Sequence, residues 1–191
     1  MHNPDNLLDP LPMGLAAIQR EAAAGRALPP VADWHPRQCG DSAMHIARDG
    51  RWFHEGRPIA RRELVRLFST LLRKDAQGFV LVTPGEKLRI AVEDAPFLAV
   101  LLEVEGEGRA QNLIFTTNVG DVTVAGADHP IRVATAPRND APSPYVHVRA
   151  GLEARLSRSV FYQLADLAVS GGAADMLGVW SGGQFFSLGR A

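Results

Sequence analysis

Through the middle of the chain, apolar and polar side chains alternate with a period of two. Leu88, Ile90 and Val92 stand against Lys87, Arg89 and Ala91, the pattern of a strand with one buried face. Residues 79–82 read as the strand before it, joined by a turn at Thr83-Pro84-Gly85, and Ala95-Pro96 ends the run. Residues 97–104 and 112–116 form an expected hairpin across Gly106–Gly108. Asn118–Asp121 reads as a turn before a strand at 122–124, and strands at 177–180 and 184–188 close the chain. Near the start, 44–47 and 51–54 flank Asp49-Gly50, a strong hairpin signal. The period changes to that of a helix over 61–74. There Leu64, Val65, Leu67, Phe68, Leu71 and Leu72 share one face, and Arg62, Arg66 and Arg73 lie opposite. A helix is also expected over 13–24, ended by Gly25, with an extended proline-bearing stretch after it. Residues 136–144 carry three prolines and read as a linker. Strands outnumber helices and connect by hairpins, so the expected class is α+β with antiparallel sheets.

One pattern occurs twice. Residues 45–67 and 147–164 each open with His and a β-branched residue (His45-Ile46, His147-Val148) and pass a glycine turn (Gly50, Gly151). Each then reaches an aliphatic–small–Arg triplet (Ile59-Ala60-Arg61, Leu156-Ser157-Arg158) and enters an amphipathic helix. This predicts duplicated strand–turn–strand–helix units, and a cleft between two similar halves is a common place for a ligand.

The chain's 191 residues suit one large domain or two small ones, and its 46% hydrophobic and 21% charged residues are those of an ordinary globular protein. A net charge of −1 argues against a general nucleic-acid binder. A single cysteine, Cys39, excludes an intramolecular disulfide and fits a reducing compartment. The N-terminus lacks the basic and apolar regions of a signal peptide, and no apolar run is long enough to span a bilayer. A cytoplasmic protein is expected.

The candidate chemistry is sparse. Cys39 with His35, His45 and His54 departs from the paired ligand spacings of structural zinc sites, so no metal and no cofactor are expected. Cys39 beside His35, His45 and Asp41 matches no thiol-enzyme signature, and a small enzyme using Cys39 or His54 is the weaker alternative. Thr83–Lys87 lacks phosphate-loop spacing, and Glu93 and Asp94, adjacent on an extended chain, point to opposite faces. The arginines carry more. Arg61 and Arg158 stand at the starts of the two matched helices, where backbone N–H groups attract anions. With Lys87, Arg89 and Arg149 they offer guanidinium and ammonium donors to an anionic ligand; the bland alternative is internal pairing with Glu93, Asp94, Asp121 or Glu153. Trp52, Tyr145 or Tyr162 would stack on a ring, Asn118 would hydrogen-bond its edge, and His54 completes the candidate set.

The run Trp34-His-Pro, Cys39-Gly-Asp, Asp49-Gly50, Trp52-Phe-His54, Pro58-Ile59 and Arg61 resembles the bacterial domain-of-unknown-function family 1285. The likeness continues through Leu81–Pro84, Glu86-Lys87-x-Arg89, Asp94–Phe97, Thr117–Asp121, His129-Pro130, Pro144–Ala154 and Val160–Tyr162, with Gly85 where a valine is expected. It implies a duplicated core whose second half is like a pleckstrin-homology fold. It also implies a nucleotide-type ligand between the halves and a role in signal transduction. The division expected is a lead-in over 1–33, a first unit over 34–97 and a second over 98–191. The function expected is non-enzymatic sensing of an anionic small molecule. A protein-interaction or scaffold domain is the alternative, and edge strands leave room for a homodimer.

Overall fold

The computed structural model describes residues 28–135, 142–171 and 175–190. The helix expected over 13–24, most of the 1–33 lead-in and residues 136–141 of the expected linker lie outside them. Two compact units make up the chain: one takes residues up to His45 with Phe53–Ala91, the other Ile46–Trp52 with Val92 onward.

Strands dominate, and the described residues hold two α-helices of nine residues each. The fold is therefore mostly β. In chain order the first unit is built on β1 (Gln38–Ile46), β2 (Trp52–His54), β3 (Arg57–Pro58), α1 (Arg62–Thr70), β4 (Leu72–Asp75), β5 (Gly78–Val82) and β6 (Glu86–Val92). These strands form one six-stranded sheet in the order β3-β2-β1-β6-β5-β4. The β1–β2 loop closes with Ala47 N–H on Arg51 O and Gly50 N–H on Ala47 O, both 2.9 Å, and Gly50 takes φ +81°. That is the geometry of the Asp49-Gly50 signal.

The helix over 61–74 stops early. Leu71 caps it, and Leu72–Asp75 leaves as β4, paired with β5 through Leu72↔Leu81 and Asp75↔Gly78. Leu71 and Leu72 are both buried, so the apolar periodicity found the core side and missed the change of element. No Gly or Pro separates helix from strand there; the hairpin ladder to Phe79–Val82 outweighs the helical pattern.

The second unit contains β7 (Phe97–Glu105), a 3-10 turn (Gly108–Ala110), β8 (Asn112–Thr117), β9 (Val122–Val124), β10 (Ile131–Thr135), β11 (Pro142–Arg149), β12 (Leu152–Leu156), α2 (Arg158–Asp166), β13 (Val169–Ser170), β14 (Met176–Ser181) and β15 (Gln184–Arg190). Its larger sheet runs β10-β11-β12-β7-β8-β9, and β13-β14-β15 forms a three-stranded one. β12 and β7 pair in parallel, Ala154↔Phe97 and Leu156↔Ala99. The sheet is therefore mixed, which corrects the purely antiparallel expectation. Pro142 and Pro144, expected in a linker, start β11 instead. They lie beyond Tyr145↔Arg155, the last pair with β12, so a missing N–H costs no ladder bond on that side.

The two matched stretches run from β1 through β2 and β3 into α1, and from β11 through β12 into α2. The pairing differs: β6 returns to β1, whereas β13–β15 keep to themselves and β7 lies beside β12. The matched arginines are also offset by one position, since Arg61 is the N-cap of α1 and Arg158 the first residue of α2 after the Ser157 cap. Ser157 Oγ accepts from Val160 N–H, while the Arg61 side chain caps nothing.

In the first unit, Arg73 on β4 ties the lead-in to the sheet. Its guanidinium donates to Val31 O and Trp34 O, both at 2.8 Å, and to Asp75, which Lys87 Nζ also meets at 3.1 Å. The bond from Arg73 holds the Asp75 carboxyl below its ordinary range, Lys87 adding to the effect. A lowered native pKa adds stability above the unfolded value and loses it as pH falls through the native one. Asp75→Asn is expected to cost about 1–2 kcal/mol at pH 7 in urea unfolding. The cost should shrink steadily towards acid pH, and a cost that stayed constant down to pH 2 would contradict it.

Candidate functional site

The outer face of the second unit's larger sheet carries a connected group of charged and aromatic side chains. β12 reads Leu-Glu-Ala-Arg-Leu, and alternation buries Leu152, Ala154 and Leu156 while turning Glu153 and Arg155 outward. Across the neighbouring strands Arg155 pairs with Tyr145, and Tyr145 with Arg132. Arg132, Tyr145 and Arg155 therefore form a row on three adjacent strands. Asp94 precedes β7 and meets this row, and Arg48 comes from the β1–β2 loop.

The contacts are unequal in quality. Arg132 grips Glu153 with two 2.6 Å bonds and lays its guanidinium 4.2 Å from the centre of the Tyr145 ring. The Tyr145 hydroxyl donates to Asp94 Oδ1 at 2.6 Å. The other carboxylate oxygen, Oδ2, lies 3.5 Å from Arg155 Nε and 3.7 Å from Arg48 Nε, within ion-pair range but too long for hydrogen bonds. Arg155 Nε is shut off from solvent and has no hydrogen-bond partner among the described residues. A buried charged N–H without an acceptor is costly, and most such groups find one. Glu93 adds a carboxylate already used by the Arg48 backbone N–H at 2.9 Å. Nothing in the group is an activated nucleophile. What it offers is unspent guanidinium N–H, the natural partner of a planar or tetrahedral oxyanion.

The residues expected from sequence fall elsewhere. In the first unit, Lys87 is spent on Asp75. Arg61 and Arg89 are exposed, Arg89 3.8 Å from Asp41, and His54 is half-buried at the end of β2. Cys39 is exposed, Asp41 accepts the Ala43 N–H at 2.8 Å, and His45 stacks on Phe53 at 4.5 Å. In the second unit, Trp52 is a core residue, 1% exposed, so its faces are covered and it is no stacking platform. Asn118 is a structural clamp: its Oδ1 accepts from Leu98 N–H and its Nδ2 donates to Gly50 O, both at 3.0 Å. A Cβ at Gly50 would lie 2.7 Å from that amide, so the glycine serves this approach as well as the turn. Arg149 bonds Asp121 at 2.8 Å and lies over the Phe97 ring; burial pushes its guanidinium below the usual arginine range. That is the internal pairing named as the bland alternative. Arg158 and Tyr162 are exposed on α2, Tyr162 by 59%. The Tyr145 ring is covered on one side by Arg132. Sequence reasoning missed Arg48, Arg132 and Arg155. The signal for Arg155 was present in the alternation of 152–156; the strand holding Arg132 was not anticipated.

A profile described as the N-terminal domain of unknown function DUF1285 matches residues 29–95, and the C-terminal domain of the same family matches 96–188. A crystal structure of a DUF1285 family protein from Silicibacter pomeroyi DSS-3 has 50% sequence identity and a TM-score of 0.84, covering 93% of this chain and 96% of that one. Another DUF1285 family protein, from Shewanella baltica OS155, has 25% identity and a TM-score of 0.51, covering 65% of this chain and 91% of that one. No curated protein matches. Among the described residues no helix is long and apolar enough to cross a membrane.

Burial, and then the Asp94 carboxylate, push the Tyr145 phenol above its ordinary value of 10.0. A raised pKa means the contribution to stability is intact below the ordinary value and is lost as pH rises through the native one. The chain has two tyrosines. In an absorbance titration, the phenolate step that vanishes in Tyr145→Phe should lie above pH 10.0, and Asp94→Asn should bring it down. A step unmoved by Asp94→Asn would break the link between the two groups.

Proposed function

Given that the chain belongs to the DUF1285 family, we propose that it is a non-enzymatic module that binds an anionic small molecule, of nucleotide or similar phosphorylated type, in cytoplasmic signalling. The observation that carries this reading is Arg155 Nε, buried and without an acceptor among the described residues, beside a second guanidinium, Arg48. An oxyanion would supply the missing acceptor. Of the arginines expected from sequence, Arg158 is the one in this unit that no ion pair occupies among the described residues, and it serves as a comparison. A second half of pleckstrin-homology type belongs to the same proposal, supported by six strands, β7–β12, followed by α2.

A specific observation favours a second reading as a protein-interaction domain. β9 is an edge strand, and Val122, 64% exposed, stands on it with the exposed Val124, near the exposed Leu101 of β7. Under that reading a flat ligand screen would accompany concentration-dependent association in sedimentation, removed by Val122→Lys.

The first test is a thermal-shift screen of nucleotides, dinucleotides, other phosphorylated metabolites and carboxylates. Ligand at 100 times its Kd adds about 2.7 kcal/mol, or about 5–10 °C for a chain of this size. The expected result is a selective shift lost in Arg155→Gln and kept in Arg158→Ala. A shift lost in Arg158→Ala alone would move the anion to the start of α2.

A further inference from the structure

We propose that the Asp94 carboxylate is a built-in occupant of the arginine site, a latch that an incoming oxyanion must displace. This rests on the anion-binding reading above and concerns how that same site is controlled.

Asp94 is the anion already present at the two guanidiniums, yet they hold it poorly. Its Oδ2 is 3.5 Å from Arg155 Nε and 3.7 Å from Arg48 Nε. Its short bond is the 2.6 Å one that Oδ1 accepts from the Tyr145 hydroxyl. Tyr145, rather than either arginine, therefore keeps the carboxylate in place. An arginine grips an oxyanion bidentately either end-on, through its two Nη atoms, or side-on, through Nε and one Nη. With Asp94 in place, Arg155 Nε is closed to solvent, while the side chain as a whole remains 29% exposed. The side-on grip, which needs Nε, is therefore closed. Withdrawing the carboxylate would free Nε and place two guanidiniums against one oxyanion.

The backbone around Asp94 restricts how this happens. Glu93 N–H bonds Ile46 O at 3.0 Å, Pro96 confines Ala95 to extended conformations, and Ala95 and Phe97 are buried. The latch opens by rotation of the Asp94 side chain, 13% exposed, and not by movement of the segment. The apparent affinity is then the intrinsic affinity reduced by the fraction of molecules with the latch open. The ligand class is a small molecule bearing a phosphoryl or carboxylate group able to accept two parallel N–H bonds.

Calorimetric titration with pyrophosphate, and separately with citrate, on the whole chain and on Tyr145→Phe, Asp94→Asn and Arg155→Gln tests this, each fold being checked by circular dichroism. Tyr145→Phe removes the hydroxyl that holds the latch without altering charge at neutral pH. It should tighten binding of the preferred probe about tenfold, Asp94→Asn by at least as much, and Arg155→Gln should abolish it. Binding lost in Arg155→Gln but unchanged or weaker in Tyr145→Phe overturns the latch and leaves the anion site standing, even if Asp94→Asn binds more tightly, because charge alone would explain that gain. Equal binding by Arg155→Gln and the unaltered chain, or no binding by any of the four proteins, overturns the anion reading and the latch with it.

Discussion

The parallel ladder between β12 and β7 is the contact on which the second unit depends. It joins two antiparallel meanders, β7–β8–β9 and β10–β11–β12, into one sheet. Its register decides what each face contains. Ala154, Leu156, Phe97 and Ala99 are all buried, so the paired strands share one apolar side. Arg155, one residue out of phase, must then face the other way. Because β7 starts just after Asp94, the same ladder brings that carboxylate to Arg155. Ser157 N–H on Ala99 O, at 3.0 Å, extends the ladder to the cap of α2. Sheet, helix start and polar row thus follow from one alignment of two strands.

Other arginines in the same chain show what a satisfied guanidinium looks like. Arg132 has a bidentate carboxylate, and Arg149 has Asp121 and an aromatic ring beneath it. Arg73 has Asp75 and two carbonyls. These are strong charge-assisted bonds with the geometry expected of structural arginines. Arg155 differs in having a nearby carboxylate that does not bond it, and the carboxylate's better partner is a neutral hydroxyl. A structural ion pair would have closed that gap, since an unpaired buried N–H is a larger loss than a surface pair is a gain.

Much of the fold was legible because period-two alternation and turn residues act locally. The β5, β6, β8 and β14 strands and the Asp49-Gly50 hairpin all follow from neighbours in sequence. The end of α1 did not, because a ladder to residues beyond Gly78 decides it, and apolar positions suit helix and strand equally in 71–72. The prolines of β11 misled for a similar reason: their tolerance depends on where β12 stops. The candidate site was least legible. Tyr145 and Arg155 are partners in one hairpin, but Arg48 and Asp94 come from separate stretches, and only pairing of distant strands brings them to it. Arginines conspicuous at helix starts or within strands were instead exposed or internally paired. Trp52 and Asn118 stood out as chemistry and turned out to be core and clamp.

The way the larger sheet of the second unit closes has a kinetic consequence. Hairpins such as β7–β8 and β11–β12 pair residues near in sequence and form without a large loop to close. Tyr145 and Asp94 are 51 positions apart and meet only when the two meanders join. Loop-closure entropy opposes that step until the parallel ladder rewards it, so it belongs late in folding and early in unfolding. The row Arg132–Tyr145–Arg155 forms with its own meander, and the Asp94 contact to it is the last to assemble. A molecule bridging Arg155 and Arg48 would act chiefly on the lifetime of the joined sheet, slowing its opening while leaving the rate at which the separate hairpins form almost untouched.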